Sequence, residues 1–263
     1  ADDIMPDQAF SAPQQMSLDR YRAIVDEVRG KRSAVSMYYY GDPLVHRQLD
    51  EMCRATADAG LNSHISTNFS FKLSDARIES IVTSGLTHMT ACVDGLSQET
   101  YGITRVGGRI DWVLDNLERL CATRTRLGAT YPRVEVQYVK FRHNAHEFDE
   151  AKKLFERLGV DQVTSFWGSL HNPSASSIEA YEVRDALPEK TFPRCMWPWT
   201  YMLIKYNGDV IPCCNHRVTM QYRGSKDVDP RVMGNVFERG VAAAWNSPAY
   251  RAARRLVAKP NRV

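Results

Sequence analysis

The feature that most constrains the fold is a regular alternation of helical and strand-like segments. The helical stretches place apolar residues three and four positions apart, as in MSLDRYRAIVDEVRG and GRIDWVLDNLERLCATRTRLG. Between them lie short apolar or alternating stretches typical of strands, near residues 35, 63, 88, 135 and 163. Because the unit of strand, loop and helix recurs about every 30 residues, we expect an α/β fold with a parallel sheet and outer helices, closed or partly closed into a barrel.

The loops after the predicted strands are where a barrel of this kind carries its function. They include YYYGDP, STNFS, CVDGLSQET and KFRHNAHE, which contain the polar residues and glycines typical of loops that bind polar ligands. The alternation stops at HNPSASSIEAYEVRDALPEKTFPR, which resembles a linker. We therefore expect a barrel domain over residues 1–186 and a small module over residues 187–263.

Composition narrows the class of partner and the compartment. The 34 basic and 31 acidic residues of the 263 are well mixed and leave a net charge of +3, so we expect neither nucleic acid nor a membrane as the main partner. The sequence has neither a long apolar run nor an N-terminal secretion signal. Six cysteines in such a chain predict a cytoplasmic protein with reduced thiols, and clustered thiols there more often hold metal than disulfides.

Three of the six cysteines lie in the stretch CMWPWTYMLIKYNGDVIPCC, which runs from Cys195 to Cys214. Its middle predicts a β-hairpin that turns at Asn207-Gly208, and a hairpin would bring Cys195 close to Cys213. Two thiolates are half of a four-thiolate site for zinc or for an iron–sulfur cluster. The chain has no CxxC to supply the other half. On this chemistry a metal site and a pair of packed thiols both remain open.

Several segments, taken in order, resemble those of radical S-adenosylmethionine (radical SAM) enzymes. YYYGDPLV resembles their GGEPLL loop, ISTNFS resembles their TNG strand end, and CVDGLSQETYGITRVGGRIDWVLDNLERL is similar to their SIDG…ETY…GG segment. The cysteine stretch, followed by MGNVFERGVAAAWNSPAYRAARR, resembles their auxiliary iron–sulfur extension, called SPASM or, in a shorter form, twitch. The resemblance runs from about Met16 to Arg255, and the order and spacing of the segments make it specific.

The resemblance implies a partial (βα)6 barrel of the TIM type that binds S-adenosylmethionine. Gly41, Asp42 and Pro43 would present backbone carbonyls and a carboxylate to the cofactor's ammonium group, although the family usually has Glu where this chain has Asp42. Arg105 would pair with the methionine carboxylate, and the alternative for it is a surface salt bridge. The other implied positions line the same pocket: Ser66, Thr67, Asn68, Cys92, Asp94 and Gln137.

The resemblance also implies two iron–sulfur sites that this chain supplies incompletely. The CxxxCxxC loop for the catalytic [4Fe–4S] cluster is missing, and we expect it upstream of Ala1. Cys195 and Cys213 are the predicted ligands of the auxiliary cluster, with Cys214 as the alternative, and we expect further cysteines beyond Val263. The sequence is therefore expected to be part of a longer enzyme and to be inactive by itself.

The implied reaction is reductive cleavage of S-adenosylmethionine, followed by hydrogen abstraction from a peptide, sugar or small metabolite. The auxiliary cluster could accept an electron, which would make the enzyme an oxidoreductase, and flavodoxin or ferredoxin would be the electron donor. Two alternatives remain: a non-catalytic barrel that acts as a binding module, and a zinc-binding protein built on the C-terminal module. The sequence does not identify the substrate.

Overall fold

The computed structural model describes residues 15–31, 33–39, 41–168, 195–213 and 232–258. Contacts divide the chain into two compact units. The described part of the larger unit lies between Gly30 and residue 168, and that of the smaller unit combines residues 15–29 with those from 195 onward. The N-terminal helix thus groups with the C-terminal residues. The division into domains at residue 187 stays a prediction.

A five-stranded parallel sheet forms the centre of the larger unit, with its strands side by side in chain order. The strands are Ala34–Ser36 (β1), Asn62–Thr67 (β2), His88–Cys92 (β3), Arg133–Lys140 (β4) and Gln162–Trp167 (β5). Helices connect them: Leu49–Asp58 (α2), Asp75–Thr83 (α3), Gln98–Thr104 (α4), Ile110–Arg126 (α5) and Phe148–Arg157 (α6). The predicted α/β fold and all five predicted strands are confirmed.

The two faces of the sheet differ in polarity. In β4, Val134, Val136 and Tyr138 are fully buried, while Glu135 and Gln137 between them are partly exposed. Successive strand residues point to opposite faces, so this alternation places the apolar residues against the helices and the polar residues on the other face. The hydrophobic core therefore lies between the sheet and α2–α6, and the opposite face is free to carry polar chemistry.

Serine side chains begin several of the helices. Ser74 accepts a hydrogen bond from the backbone N–H of Arg77 at the start of α3, and Ser97 accepts one from Thr100 at the start of α4. Each bond satisfies one of the N–H groups that a helix leaves unpaired at its first turn. Because α4 follows directly on the loop after β3, its cap fixes where that loop ends.

The smaller unit joins the N-terminal helix Leu18–Glu27 (α1) to a hairpin and several short helices. These elements are Trp197–Thr200 (α7), Leu203–Ile204 (β6), Val210–Ile211 (β7), Val236–Arg239 (α8), Val241–Trp245 (α9) and Pro248–Val257 (α10). They bury a small core: Ile24, Val210, Val236, Ala244 and Tyr250. The Glu27 carboxylate accepts a hydrogen bond from the backbone N–H of Val241 at 2.7 Å and so ties α1 to α9. None of the described helices is long and apolar enough to cross a membrane.

Candidate functional site

The predicted cofactor residues on the strands meet at the carboxyl end of the sheet. Thr67 is the last residue of β2 and Cys92 the last of β3, and Cys92 is in register with Gln137 of β4. The Ser66 Oγ and Cys92 Sγ atoms are 3.4 Å apart. In open α/β sheets, ligands bind at the carboxyl ends of the strands. The structure therefore gathers these four residues at the edge where a ligand site is expected.

Asp42 ties the loop after β1 to the end of β2. Its carboxylate accepts hydrogen bonds from the Thr67 hydroxyl at 2.7 and 2.8 Å, from the Asn68 N–H at 2.7 Å and from the Leu44 N–H at 3.0 Å. The next residue, Pro43, begins a short 3₁₀ turn, where a residue without an N–H is tolerated. Asp42 thus holds Gly41-Asp42-Pro43 against the Thr67-Asn68 strand end, a positioning role the sequence did not reveal.

Arg105 lies between Asp94 and Asn68. Its Nε donates to Asp94 Oδ2 at 2.6 Å and its Nη1 donates to Asn68 Oδ1 at 2.5 Å. Burial works against the charge of this guanidinium, but the carboxylate of Asp94 outweighs burial and raises the pKa of Arg105 above its usual value. Within the described part of the chain, the Arg105 Nη2 group has no hydrogen-bond partner. Arg105 is therefore a fixed cation with a free donor for an anionic group.

Asp94 is the buried anchor of this cluster. It is only 2 % exposed, and besides Arg105 its carboxylate accepts a hydrogen bond from the Val139 N–H at 3.3 Å. Its backbone carbonyl accepts one from the Asn144 side chain at 2.8 Å. These bonds join the loop after β3 to β4 and to the segment that follows β4, so the Asp94 carboxylate is held where it meets Arg105 at the end of α4.

Cys92 is a neutral thiol in this setting. Burial raises its pKa, and the hydrogen bond with Ser66 only partly offsets that effect. A thiolate is the form that attacks electrophiles and binds metals, so a raised pKa disfavours both roles. Cys92 is suited to lining the pocket, as the predicted alignment with the family's usual serine implies.

A second group of polar side chains, which we call the polar layer, lies on the same face of the sheet. It comprises His64, His88, Thr90, Glu135 and Thr164. His64 stands two residues before Ser66, His88 four before Cys92 and Glu135 two before Gln137, so these side chains share a face of the sheet. Thr90 is in register with Ser66, and Thr164 with Gln137, so the layer adjoins the strand-end residues. The sequence analysis missed the polar layer, although the alternation of HIS, HMTAC and EVQ on neighbouring strands could have located it.

Glu135 is the centre of the polar layer. It lies 3.1 Å from the His88 Nε2 atom and accepts from the Thr164 hydroxyl at 2.5 Å. His64 Nε2 lies 2.9 Å from the Thr90 hydroxyl, which reaches Glu135 at 3.4 Å. Burial, and then the neighbouring His88, lowers the pKa of His64 to about 4, so that His64 is neutral at pH 7. A carboxylate only accepts hydrogen bonds, so the His88 Nε2 atom carries the proton of this contact.

The predicted hairpin is present in the smaller unit and turns at Asn207-Gly208. Gly208 has a φ of +93°, and a Cβ there would lie 2.3 Å from the Phe237 ring. Asn235 donates to the carbonyl of Asn207 at 3.1 Å and accepts from the Phe237 N–H at 2.9 Å. The hairpin turn therefore packs directly against the segment that begins with the Gly-Asn pair 26 residues later.

The predicted cluster ligands lie on either side of this hairpin. Cys195 is exposed and Cys213 is half-buried. The expected strand before the turn is shorter than predicted, because Trp197–Thr200 forms the helical turn α7, which Pro198 favours at its first positions. Cys214 lies outside the described residues. Among those described, no group of three or more possible ligands meets, and the pairing of Cys195 with Cys213 stays a prediction.

The chemistry around these cysteines nevertheless fits an anionic group. Arg254 of α10 is only 7 % exposed, and its buried Nη2 atom has no hydrogen-bond partner among the residues that the structure describes. Its Nε donates to the carbonyl of Pro198 in α7, close in sequence to Cys195. A buried cation with an unpaired donor is stabilised by an anion, and a thiolate-bound iron–sulfur cluster is anionic.

Comparisons with known proteins agree with both parts of this description. Residues 195–262 match the family model of SPASM, an iron-sulfur cluster-binding domain. None of the curated proteins matches the chain by sequence. A search of solved structures finds several with the same fold.

Three solved structures illustrate the similarity. BtrN in complex with AdoMet and 2-DOIA is 16 % identical, with a TM-score of 0.52 over 94 % of this chain and 76 % of BtrN. Streptococcus suis SuiB bound to S-adenosylmethionine is 15 % identical, with a TM-score of 0.63 over 93 % of this chain. Histidine-tagged anSMEcpe with bound AdoMet is 10 % identical, with a TM-score of 0.59 over 93 % of this chain and 75 % of anSMEcpe. The chain spans 61 % of the length of SuiB.

These findings bear on the fold and on the C-terminal module. The chain shares its fold with three solved structures that bind S-adenosylmethionine, and residues 195–262 match the SPASM iron–sulfur domain. The predicted fold and the predicted SPASM extension are thereby confirmed.

Proposed function

We propose that this chain is the barrel and SPASM part of a radical SAM oxidoreductase. The observation that carries the proposal is the combination, in one chain, of the radical SAM fold, a strand-end site with a fixed cation, and a SPASM match. A bound and reduced [4Fe–4S] cluster would supply one electron to S-adenosylmethionine, which would break into methionine and a 5′-deoxyadenosyl radical. That radical would take a hydrogen atom from the substrate and become 5′-deoxyadenosine. Flavodoxin or ferredoxin is the proposed source of the electron.

The strand-end residues would hold S-adenosylmethionine in place. Arg105 offers its unpaired Nη2 to the methionine carboxylate, and the backbone of Gly41 and Pro43 meets the ammonium group. Asp42 keeps that backbone in position through Thr67 and Asn68. The remaining members of the site would line the pocket: Ser66, Cys92, Asp94 and Gln137.

The substrate would lie on the polar face of the sheet, against the polar layer. The neutral His64 offers an imidazole acceptor, and Glu135 adds carboxylate oxygens held by His88 and Thr164. These groups favour a substrate that donates hydrogen bonds, through hydroxyl, amine or amide groups. A peptide meets this requirement, and SuiB has a structure bound to its precursor peptide SuiA. A sugar or a small polar metabolite meets it equally.

Binding of S-adenosylmethionine tests the role of Arg105. The full-length protein, reconstituted anaerobically with iron and sulfide, is titrated with S-adenosylmethionine by calorimetry. We expect R105M to weaken binding at least tenfold, because the methionine carboxylate loses its cation. R126Q is the matched control, since Arg126 is exposed and pairs only with the exposed Glu79 among the described residues. Equal affinities for R105M and R126Q would contradict the role given to Arg105.

The two alternatives predict different outcomes in the same preparation. A non-catalytic binding module would bind a ligand but hold no catalytic cluster and release no 5′-deoxyadenosine. A zinc protein would contain stoichiometric zinc and no visible iron–sulfur absorbance. Metal analysis of the protein as isolated separates these alternatives before any assay of activity.

A further inference from the structure

Arg254 of α10 is a buried cation without a counter-ion in the described residues. Its Nε donates to the Pro198 carbonyl at 2.9 Å, and its guanidinium carbon lies 4.0 Å from the centre of the Trp245 ring and 4.6 Å from that of Tyr250. The Nη2 atom is buried, and no described residue hydrogen-bonds to it. In the described residues, one neutral acceptor and three aromatic rings, the third being Trp199 at 5.7 Å, therefore surround a group that has five N–H donors.

These contacts do not balance the cost of burying the charge. An aromatic face attracts a cation but does not carry the full negative charge that would balance it, and removing an ion from water is costly unless it is paired and hydrogen-bonded. A guanidinium cannot escape this cost by losing its proton. The half-buried Arg77, Arg105 and Arg124 of the larger unit each contact a carboxylate, but no ion pair among the described residues includes Arg254.

The surroundings of Arg254 point to the predicted cluster ligands. The carbonyl to which it donates belongs to α7, which begins two residues after Cys195. Val210 of β7 lies three residues before Cys213 and belongs to the same small core as Tyr250, whose ring lies beneath the guanidinium. Each predicted ligand is therefore three residues along the chain from a residue of these surroundings: Cys195 from Pro198, which Arg254 contacts, and Cys213 from Val210, which shares a core with Tyr250.

We propose that Arg254 is the charge partner of the auxiliary iron–sulfur cluster and raises its reduction potential. Its Nη2 would donate a hydrogen bond to a thiolate or sulfide of the cluster. Because reduction adds one negative charge, a fixed cation nearby stabilises the reduced form more than the oxidised form. This inference rests on the SPASM assignment within the proposed function, and it makes Arg254 a positioning and tuning residue.

The test is a redox titration of the full-length, anaerobically reconstituted protein, followed by electron paramagnetic resonance. The auxiliary cluster is identified as the signal that S-adenosylmethionine leaves unchanged. In R254M we expect the ratio of reduced to oxidised cluster at a fixed potential to fall at least tenfold, which corresponds to a midpoint more negative by about 59 mV. R254K keeps the positive charge but loses the planar guanidinium with its several N–H donors. The midpoint potential of its auxiliary cluster should therefore lie between those of R254M and the wild type.

R255Q is the matched control, because Arg255 is the next residue of the same helix and is exposed. It removes the same formal charge and should leave the midpoint unchanged. Iron content and the unfolding temperature are measured for every variant. If R254M fails to fold, the comparison of R254K with the wild type decides the question.

Three results would overturn the proposal. One is a wild-type midpoint in an R254M protein with full iron content, and the second is an R254K midpoint equal to the wild type when R254M does not fold. The third is an equal shift in R255Q, which would show a long-range charge effect. A wild-type protein without an auxiliary cluster would contradict the SPASM assignment as well. A protein that holds the cluster but does not cleave S-adenosylmethionine would contradict only the proposed catalysis.

Discussion

At the scale of single residues, the site depends on short side chains that hold backbone in place. Asp42 shows this most clearly, because one carboxylate accepts from a hydroxyl and two backbone N–H groups on two different loops. A glutamate, which the family usually has, places its carboxylate one methylene farther from the backbone. In this chain the Asp42 carboxylate faces the chain itself.

Substitution D42N tests this positioning role. The amide keeps one acceptor oxygen, but its NH₂ group would face the Asn68 N–H, so at least one hydrogen bond to a charged acceptor is lost. We expect the free energy of unfolding to fall by about 1–2 kcal/mol and the affinity for S-adenosylmethionine to fall about tenfold. Urea unfolding and calorimetry measure the two effects. D149N, at an exposed position of α6, should change neither, and unchanged stability in D42N would contradict the account.

His64 gives a pH dependence of stability with a definite sign. The pKa of His64 is about 4 in the folded protein, compared with an ordinary value of 6.5. The pKa is lowered mainly because burial disfavours the charged ring. Between these values the unfolded chain binds more protons than the folded one, so stability falls as the pH falls from 6.5 to 4.

H64Q should lose part of this acid sensitivity. Between pH 6.5 and pH 4 we expect the free energy of unfolding to fall by about 1–2 kcal/mol less in H64Q than in the wild type. This figure is smaller than the full pKa shift would give, because the ring is partly exposed to solvent. Urea titrations at the two pH values measure it, with the exposed His146 in H146Q as the control. Parallel pH profiles for H64Q and the wild type would show that His64 is not the residue responsible.

At the scale of secondary-structure elements, the hairpin of the smaller unit is held from outside its own strands. Its strands have two residues each, too short for a stable isolated hairpin. The turn is completed by Asn235 and Phe237 of the following segment. The sequence predicted the hairpin from Asn207-Gly208 but not the helical turn α7. The apolar run WPWTYMLI is compatible with a strand or a helical turn, and the tertiary contacts that favour the turn, made by Tyr201 and Pro198, are not visible in the sequence.

Substitution G208A should destabilise the smaller unit through a clash as well as through backbone strain. The added Cβ would lie 2.3 Å from the Phe237 ring and 2.5 Å from Asn235 Oδ1. G128A is the matched control, because Gly128 also has a positive φ, of +60°, but has no atom within 4 Å of an added Cβ. We expect G128A to cost about 1 kcal/mol and G208A about 3 kcal/mol or more. Calorimetric unfolding measures both, and equal losses would mean that packing adds nothing at Gly208.

At the scale of the whole molecule, much of the architecture could be predicted because it follows from patterns within short segments of the sequence. Periodicity located the five strands, and the order of the short motifs identified the radical SAM fold. The polar layer was not predicted, since His64, His88 and Glu135 come from three strands and become neighbours only through register. The burial of Arg254 and its unpaired donor could not be predicted either, because an arginine among other basic residues of a helix is normally exposed.

The central claim is that this fold cleaves S-adenosylmethionine by a radical route, and formation of 5′-deoxyadenosine tests it most directly. The full-length protein, reconstituted anaerobically, is incubated with S-adenosylmethionine and dithionite, and the products are quantified by liquid chromatography and mass spectrometry. We predict 5′-deoxyadenosine and methionine in equal amounts, dependent on the reductant and at least tenfold reduced in R105M. Iron-loaded protein that binds S-adenosylmethionine and yields no 5′-deoxyadenosine would contradict the claim.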